Sequence, residues 1–145
     1  MNNTPSVDVG CVLKTHVDDT HPPKIKRFIV VGKDDKSVSL ATIYINSEIN
    51  ENVNWSIEQK ALQLEFDTAN RAYLNHKSYV DCSKLYFKDY SIINGTAKEN
   101  PQIIIGQVSD NDMRLITETL ANAITIKGKY KKKYGIYKQD IQSID

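Results

Sequence analysis

The chain has 145 residues, of which 40% are hydrophobic and 26% are charged, and its formal net charge is +1. This length favours one domain with a sizeable core, and this composition is typical of a globular protein rather than a disordered one. No apolar run approaches the ~20 residues of a membrane-spanning helix. Residues 1–6 lack the basic-then-apolar pattern of a signal peptide, so we expect a cytoplasmic protein without a membrane segment.

The only cysteines are Cys11 and Cys82, which are too few for a disulfide framework. Each lies in an apolar, strand-like run, and free cysteine is among the residue types that are most often buried. We therefore expect two buried free thiols.

The first third of the chain predicts three strands. The first strand is expected within residues 9–17, and the loop 18–23 ends it because its prolines supply no N–H donor. Residues 25–31 and 38–45 are rich in β-branched and aromatic side chains, which favours two further strands. The short polar turn 32–36 between them predicts an antiparallel hairpin.

The middle of the chain predicts shorter strands between loops. Residues 47–56 are polar and indicate an exposed loop. Apolar and polar residues alternate over 62–66, the pattern of a half-buried strand. Two more short strands are predicted over 79–82 and 85–87.

The C-terminal third predicts a strand and one helix. Asn94-Gly95 indicates a turn, and residues 96–101 a loop. The three isoleucines at 103–105 predict a buried strand that Gly106 ends. A capped helix is expected over 109–125, because its apolar residues recur at helical spacing. Several short strands and one late helix favour a mainly β domain (α+β), a small barrel over residues 1–126 with one helix packed on it.

The segment 127–145 is basic and rich in tyrosine. Six of the twelve residues from 127 to 138 are lysines, so the rest of the chain is net acidic. Tyr130, Tyr134 and Tyr137 interleave with these lysines, as in segments that pair with phosphates and stack on bases. The alternatives are a solvated tail without a ligand, either disordered or forming a further short helix.

Four segments resemble the PemK/MazF-type toxin family. Gly10 and the apolar strand after it resemble the family's opening "G-D-I-V", and residues 26–31 look like its "K-R-P-V-V-V" strand. Residues 78–85 resemble its "S-x-V-x-x-x-Q-I" strand. The best match is the segment 105–126, which is similar to the family's last strand, "I-G-x-L-S", and the helix that follows. The resemblance implies an SH3-like barrel of the PemK/MazF type.

Members of this family are typically dimeric, metal-independent endoribonucleases that cut single-stranded RNA by attack of a 2′-OH on the adjacent phosphate. The resemblance therefore implies a toxin–antitoxin endoribonuclease, a hydrolase that acts as a homodimer, needs no cofactor or metal, and is restrained by an antitoxin protein. Arg27 matches a family arginine and suits stabilisation of the developing oxyanion. Ser47 is our choice for a family Thr or Ser, and His21 suits proton transfer in a loop that borders the RNA groove.

Other residues are expected to contact RNA. A second basic family residue falls on Tyr86 here, and Lys84 lies two residues earlier on the same strand face, where it can replace part of that charge. The full set of expected RNA contacts is Lys26, Lys84, Tyr86, Lys131 and Lys132.

Two plainer interpretations stay open. The protein can be a noncatalytic barrel that binds a protein or a nucleic acid, since Asp18 and Asp19 would repel an RNA backbone. Arg27 can form an ordinary surface salt bridge, and His16 and His21 can be ordinary exposed histidines. The run His16-x-Asp18-Asp19-x-His21 has no recognised ligand geometry, so we expect a solvated turn and no metal site there.

Overall fold

The structure is a computed structural model, and it describes residues 6–20, 22–49 and 56–137. Within these ranges, seven strands form one antiparallel sheet: β1 (Cys11–Val17), β2 (Lys24–Lys33), β3 (Ser39–Asn46), β4 (Gln63–Phe66), β5 (Ser78–Asp81), β6 (Tyr86–Asp89) and β7 (Ile104–Gln107). The described α-helices are α1 (Ile57–Ala61), α2 (Tyr90–Glu99), α3 (Asp110–Asn122) and α4 (Gly128–Lys133), and a 3₁₀ turn covers Pro101–Ile103.

The sheet is curled into a half-barrel. Its strand order is β4-β5-β3-β2-β1-β7, and β6 pairs with the same edge of β3 as β5 does. The pairing shifts between Val30 and Gly32 on β2 and between Val12 and Leu13 on β1. Such irregularities bend a strand and increase its twist, which accounts for the curl.

Side chains from both faces of the sheet are buried. The face that we name the α3 face packs against α3 and α4 through a cluster that includes Ile29, Ile43, Ile116, Leu120, Tyr134 and Ile136. The opposite face, named the α2 face, packs against α2 through a cluster that includes Leu13, Phe28, Val30, Tyr44, Ala97 and Ile103. Double burial explains why β2 and β3 are nearly continuous apolar runs rather than alternating ones.

The described part of the basic C-terminal segment belongs to the core. Tyr134 and Ile136 are buried against the α3 face. The Tyr134 hydroxyl lies 2.8 Å from Ser39 Oγ. Lys131 Nζ donates to the carbonyls of Ala121 and Ala123, at 2.9 and 2.8 Å, and so satisfies acceptors at the C-terminal end of α3.

The mainly β, antiparallel architecture agrees with the sequence prediction, and each predicted strand overlaps a strand of the sheet. The hairpin between β2 and β3 is confirmed. The expected cap of α3 is also present, because Ser109 Oγ accepts from the Asp112 N–H at 3.1 Å.

The prediction of one late helix is wrong. Residues 94 and 95, interpreted as a turn, lie inside α2, together with most of the predicted loop 96–101. Asp89 caps this helix by accepting from the Ile92 N–H, and burial of Ala97 attaches it to the sheet. Packing of this kind overrides the weak local preference of an Asn-Gly pair.

Gly106 also differs from its prediction, because it lies within β7 rather than ending the strand. A Cβ at Gly106 would lie 3.0 Å from two side-chain atoms of Tyr73, so the glycine provides room for that ring. Both cysteines are free and buried, as expected. Within the described ranges, the longest helix has 13 residues, and no helix combines the length and apolar character that a bilayer crossing requires.

Gly32 and Gly95 provide a matched test of how the C-terminal segment is held. A Cβ at Gly32 would lie 2.5 Å from the Tyr134 carbonyl oxygen and 2.8 Å from the Tyr134 Cβ, whereas a Cβ at Gly95 meets nothing within 4 Å. We expect Gly32→Ala to lower the free energy of unfolding by about 1–3 kcal/mol through overpacking. Gly95→Ala, inside α2, should raise it by about 0.5–1 kcal/mol. Urea unfolding of both variants measures the difference, and an unchanged Gly32→Ala protein would contradict the close packing.

Candidate nucleic-acid interface

Two tyrosines stack on the α2 face of the sheet. Thr42 pairs with Tyr86 in the ladder between β3 and β6, and this register places Tyr86 beside Tyr44. Their ring centroids are 4.1 Å apart, with an interplanar angle of 16°. Tyr44 is only 3% exposed, while Tyr86 is half-buried. Tyr86 therefore forms the outer layer of the stack.

Three lysines surround this stack. Lys88 Nζ lies 5.1 Å from the Tyr44 ring centroid, and Lys26 Nζ lies 5.6 Å from it. Lys84 Nζ lies 4.9 Å from the Tyr86 centroid. These distances are within the range of cation–π attraction, about 6 Å. We name the five residues Lys26, Tyr44, Lys84, Tyr86 and Lys88 the Lys–Tyr cluster.

A carboxylate is bound directly by two members of the cluster. Asp19, in the loop after β1, accepts from Lys88 Nζ at 2.8 Å and from the Tyr44 hydroxyl. Desolvation alone would raise the pKa of Asp19, but the hydrogen bonds from Lys88 and Tyr44 outweigh it and lower this pKa below its usual value. Burial, together with the bond to Asp19, raises the pKa of Tyr44, so its hydroxyl keeps its proton at neutral pH. Lys88 and Tyr44 thus form a pair of donors that holds an anionic oxygen.

A groove of about 370 Å³ adjoins the cluster at the start of β2 and the end of β3. Its lining is two lysines, one glutamate and four uncharged residues: Lys24, Lys26, Asn46, Ser47, Glu48, Ile49 and Gln63. Lys26 Nζ donates to the Asn46 side chain, which fixes the ammonium group at the groove wall. Burial is the main cause that lowers the pKa of Lys26, and the charge of Lys24 adds to it. Ser47 is exposed in this groove.

Arg27 lies on the α3 face, because successive strand residues point to opposite sides of a sheet. Its Nε donates to the Tyr73 carbonyl at 3.1 Å. Arg27 pairs with Lys14 across the β1–β2 ladder, and His16 follows two residues later on β1. Among the described salt bridges, none involves Arg27, so the expected alternative of a surface ion pair is not what positions it.

The structure brings together some of the residues predicted from the sequence and separates others. Lys26, Lys84 and Tyr86 meet in the Lys–Tyr cluster, and Ser47 lies in the adjoining groove. Lys132 is exposed on α4, and Lys131 is engaged by the carbonyls at the end of α3. His21 lies outside the described residues, so its role stays a prediction.

Sequence reasoning missed Tyr44, Lys88 and the pairing role of Asp19. Tyr44 lies within a predicted strand and Lys88 just beyond one, and only the β3–β6 register brings them together. Asp19 was expected to repel RNA, but its charge is already offset by Lys88. Tyr86 stood out in the sequence only because it falls where the PemK/MazF pattern has a basic residue. That difference does not indicate a stacking partner.

Metal and thiol chemistry receive no support from the described residues. Within them, no group of three or more His, Cys, Asp or Glu side chains is placed to hold a metal ion. Burial raises the pKa of the Cys82 thiol, with a smaller contribution from Asp81, so this cysteine is a poor nucleophile.

No protein-family model matches the chain. No curated protein is significantly similar to it in sequence. The PemK/MazF resemblance therefore depends on its short segments alone, and the function has to be inferred from the geometry described above.

The Asp19 contacts predict a specific pH dependence of stability. Folding lowers the pKa of Asp19, so its ionised form stabilises the protein above about pH 4, the usual pKa range of aspartate, and this contribution is lost as the pH falls through the lowered value. Asp19→Asn should cost about 1 kcal/mol near neutral pH, a modest figure because the Asp19 side chain is one-third exposed and solvent screens the pair.

Urea unfolding of the wild type and Asp19→Asn at several pH values measures this effect. The difference between the two proteins should shrink as the pH falls below the usual aspartate range, because Asp19 then becomes protonated. Other aspartates with lowered pKa values, such as Asp8 and Asp34, affect both proteins equally and cancel. A difference that does not change with pH would contradict the ionic role of Asp19.

Proposed function

We propose that the protein binds single-stranded RNA and cleaves it without a metal ion, as an endoribonuclease of the PemK/MazF type with an SH3-like barrel. One observation carries the proposal. Three residues predicted to contact RNA, Lys26, Lys84 and Tyr86, converge on one aromatic stack near the start of β2, the strand that also carries Arg27 on its opposite face. These residues come from distant parts of the chain.

The Lys–Tyr cluster supplies what a single RNA strand requires of a binding surface. Bases stack on aromatic rings, and lysines neutralise the phosphates. Tyr86 is the outer ring, and the exposed Lys84 side chain above it can move aside to admit a base. Asp19 occupies the position where Lys88 and Tyr44 donate to an anionic oxygen, and a phosphate oxygen can take the same two donors.

The cleavage step is attack of a ribose 2′-oxygen on the adjacent phosphorus. The 2′-hydroxyl loses its proton to a base, the bond to the 5′-oxygen breaks, and that oxygen takes up a proton, leaving a 2′,3′-cyclic phosphate and a 5′-hydroxyl. Arg27 is suited to stabilise the negative charge that develops on the phosphate. Its Nε bond to the Tyr73 carbonyl fixes the orientation of the guanidinium group, and Lys14 opposite adds positive charge.

Two histidines and a serine are the candidates for the remaining roles. His16 on β1 and His21, which lies outside the described residues, are the candidates for proton transfer, since an imidazole can both accept and donate a proton. Ser47 is suited to donate a hydrogen bond to the phosphate from the groove beside Lys26. A homodimer and an antitoxin that covers the RNA-binding surface complete the proposal, which places the activity in the cytoplasm.

Replacement of Arg27 tests the catalytic part. We expect Arg27→Ala to slow cleavage of a long single-stranded RNA in EDTA by at least about 100-fold, the usual effect of losing one oxyanion donor. Arg114→Ala is the matched control, because Arg114 is an exposed arginine on α3. Gel analysis of the fragments and detection of cyclic phosphate ends provide the measurement, and thermal unfolding verifies that both variants fold.

Equal cleavage by Arg27→Ala and the wild type would rule out the role of Arg27. Intact RNA with the wild type would instead favour a second function, a noncatalytic RNA-binding module. A specific observation supports this alternative, since Tyr86 replaces the second basic residue of the family and packs on Tyr44 as a binding platform. The two functions differ in cleavage but not in binding.

Lys26 tests the binding part. We expect Lys26→Gln to weaken binding of a non-cleavable 2′-O-methyl RNA and to reduce the slope of log affinity against log salt by about 1, as expected for one lost phosphate contact. Lys36→Gln is the control, because Lys36 is exposed in the turn at the other end of β2. Fluorescence anisotropy over a salt series measures both quantities. Identical slopes for the two variants would exclude Lys26 from the interface.

A further inference from the structure

A second aromatic groove lies on the α3 face beside β6. It has a volume of about 230 Å³, and Phe87 and Tyr130 form its aromatic wall. Phe87 is 41% exposed, which is unusual for a large aromatic side chain in a strand that packs against a helix. The volume is below the ~300 Å³ at which pockets for drug-sized ligands begin, so it suits a single planar ring system. We name this site the Phe87–Tyr130 groove.

The aromatic wall is held in place from behind. The Phe87 and Tyr130 centroids are 4.9 Å apart at an angle of 43°. Phe87 also stacks on Tyr134, with centroids 5.2 Å apart and an angle of 22°. Tyr134 is buried, and its hydroxyl contacts Ser39 Oγ. A ligand therefore meets a preformed ring surface rather than one that has to be assembled.

The rim of the groove is cationic. Lys84 and Lys127 line it, and Lys129 Nζ lies 5.1 Å from the Tyr130 centroid. The described ion pairs leave these three ammonium groups without a carboxylate partner. Aromatic walls select a planar ring, and a lysine rim selects negative charge, so together they fit a nucleobase attached to a phosphate.

Lys84 belongs both to this groove and to the Lys–Tyr cluster. It lies between β5 and β6, shortly before Tyr86 and Phe87. Tyr86 faces the α2 side, and Phe87 contacts the α3 side. A chain of phosphates that passes Lys84 can thus reach both aromatic surfaces. We propose that the Phe87–Tyr130 groove is a nucleotide subsite, in which one base stacks on Phe87 and Tyr130 while Lys84 and Lys127 bind the flanking phosphates.

This inference rests on the proposed function for its ligand, a nucleotide within a single RNA strand. The same chemistry is present in a free mononucleotide, so the test includes both. The oligonucleotide probe is a six-residue 2′-O-methyl RNA with 2-aminopurine at one position, since stacking quenches this base and the 2′-methyl group prevents cleavage. The mononucleotide probe is AMP.

We expect Phe87→Leu to weaken oligonucleotide binding about 10-fold, the usual effect of removing one stacking ring. The variant should also restore the fluorescence that 2-aminopurine loses, at one position of the oligonucleotide, when it binds to the wild type. Lys127→Gln should weaken binding and reduce its salt dependence. The matched controls are Tyr137→Leu and Lys36→Gln, which change an exposed tyrosine and an exposed lysine outside the groove. Because Lys127 is exposed, the Lys127→Gln variant decides the test if Phe87→Leu fails to fold.

If AMP binds to the wild type and Phe87→Leu abolishes this binding, the result would support the subsite with a free nucleotide as its ligand. The inference would be overturned if neither Phe87→Leu nor Lys127→Gln affected oligonucleotide binding. It would also be overturned if the wild type bound neither the oligonucleotide nor AMP. The proposed function fails separately, when RNA stays intact in EDTA. Cleavage that depends on Arg27, combined with no effect of Phe87→Leu and Lys127→Gln on binding, would refute the subsite alone.

Discussion

The double burial of β2 and β3 is the constraint on which the rest of the structure depends. Each strand supplies apolar side chains to two clusters, one on the α3 face and one on the α2 face. Charged groups can therefore be accommodated only where these strands leave the core, because an unpaired buried charge is costly. The start of β2 and the end of β3 meet that condition, and there Lys24, Lys26 and Ser47 lie together.

The same alternation that fills two cores divides the candidate site between two faces. Lys26 reaches Asn46 and the Tyr44 ring on the α2 face, while Arg27, its neighbour in sequence, reaches the Tyr73 carbonyl on the α3 face. A ligand chain that engages both residues has to cross the sheet at the start of β2 rather than lie along one face. A phosphate that uses the Lys88 and Tyr44 donors has to displace Asp19 from Lys88, whose side chain is only 10% exposed, and the lost ion pair would offset part of the affinity gained.

The sequence was informative where local chemistry decides the structure. Runs of β-branched residues located β2 and β3, and Ser109 identified the start of α3. It was misleading where tertiary contacts decide. The Asn-Gly pair at 94–95 favours a turn, but the Asp89 cap and the burial of Ala97 against the sheet keep it helical. Arg27, Lys26 and Tyr86 could be selected from a family pattern, whereas Tyr44 and Lys88 depend on the β3–β6 register, which no local pattern encodes.

The gap between β5 and β6 also divides neighbouring side chains between the two faces, here at the edge of the sheet. Both strands pair with β3, and the residues between them leave the ladder. Lys84 lies in this interval, and its exposed side chain is close both to the Tyr86 ring and to the Phe87–Tyr130 groove. Tyr86 and Phe87 then point to opposite sides, as Lys26 and Arg27 do on β2. These two pairs of neighbouring residues therefore place cationic and aromatic side chains on both faces of the sheet.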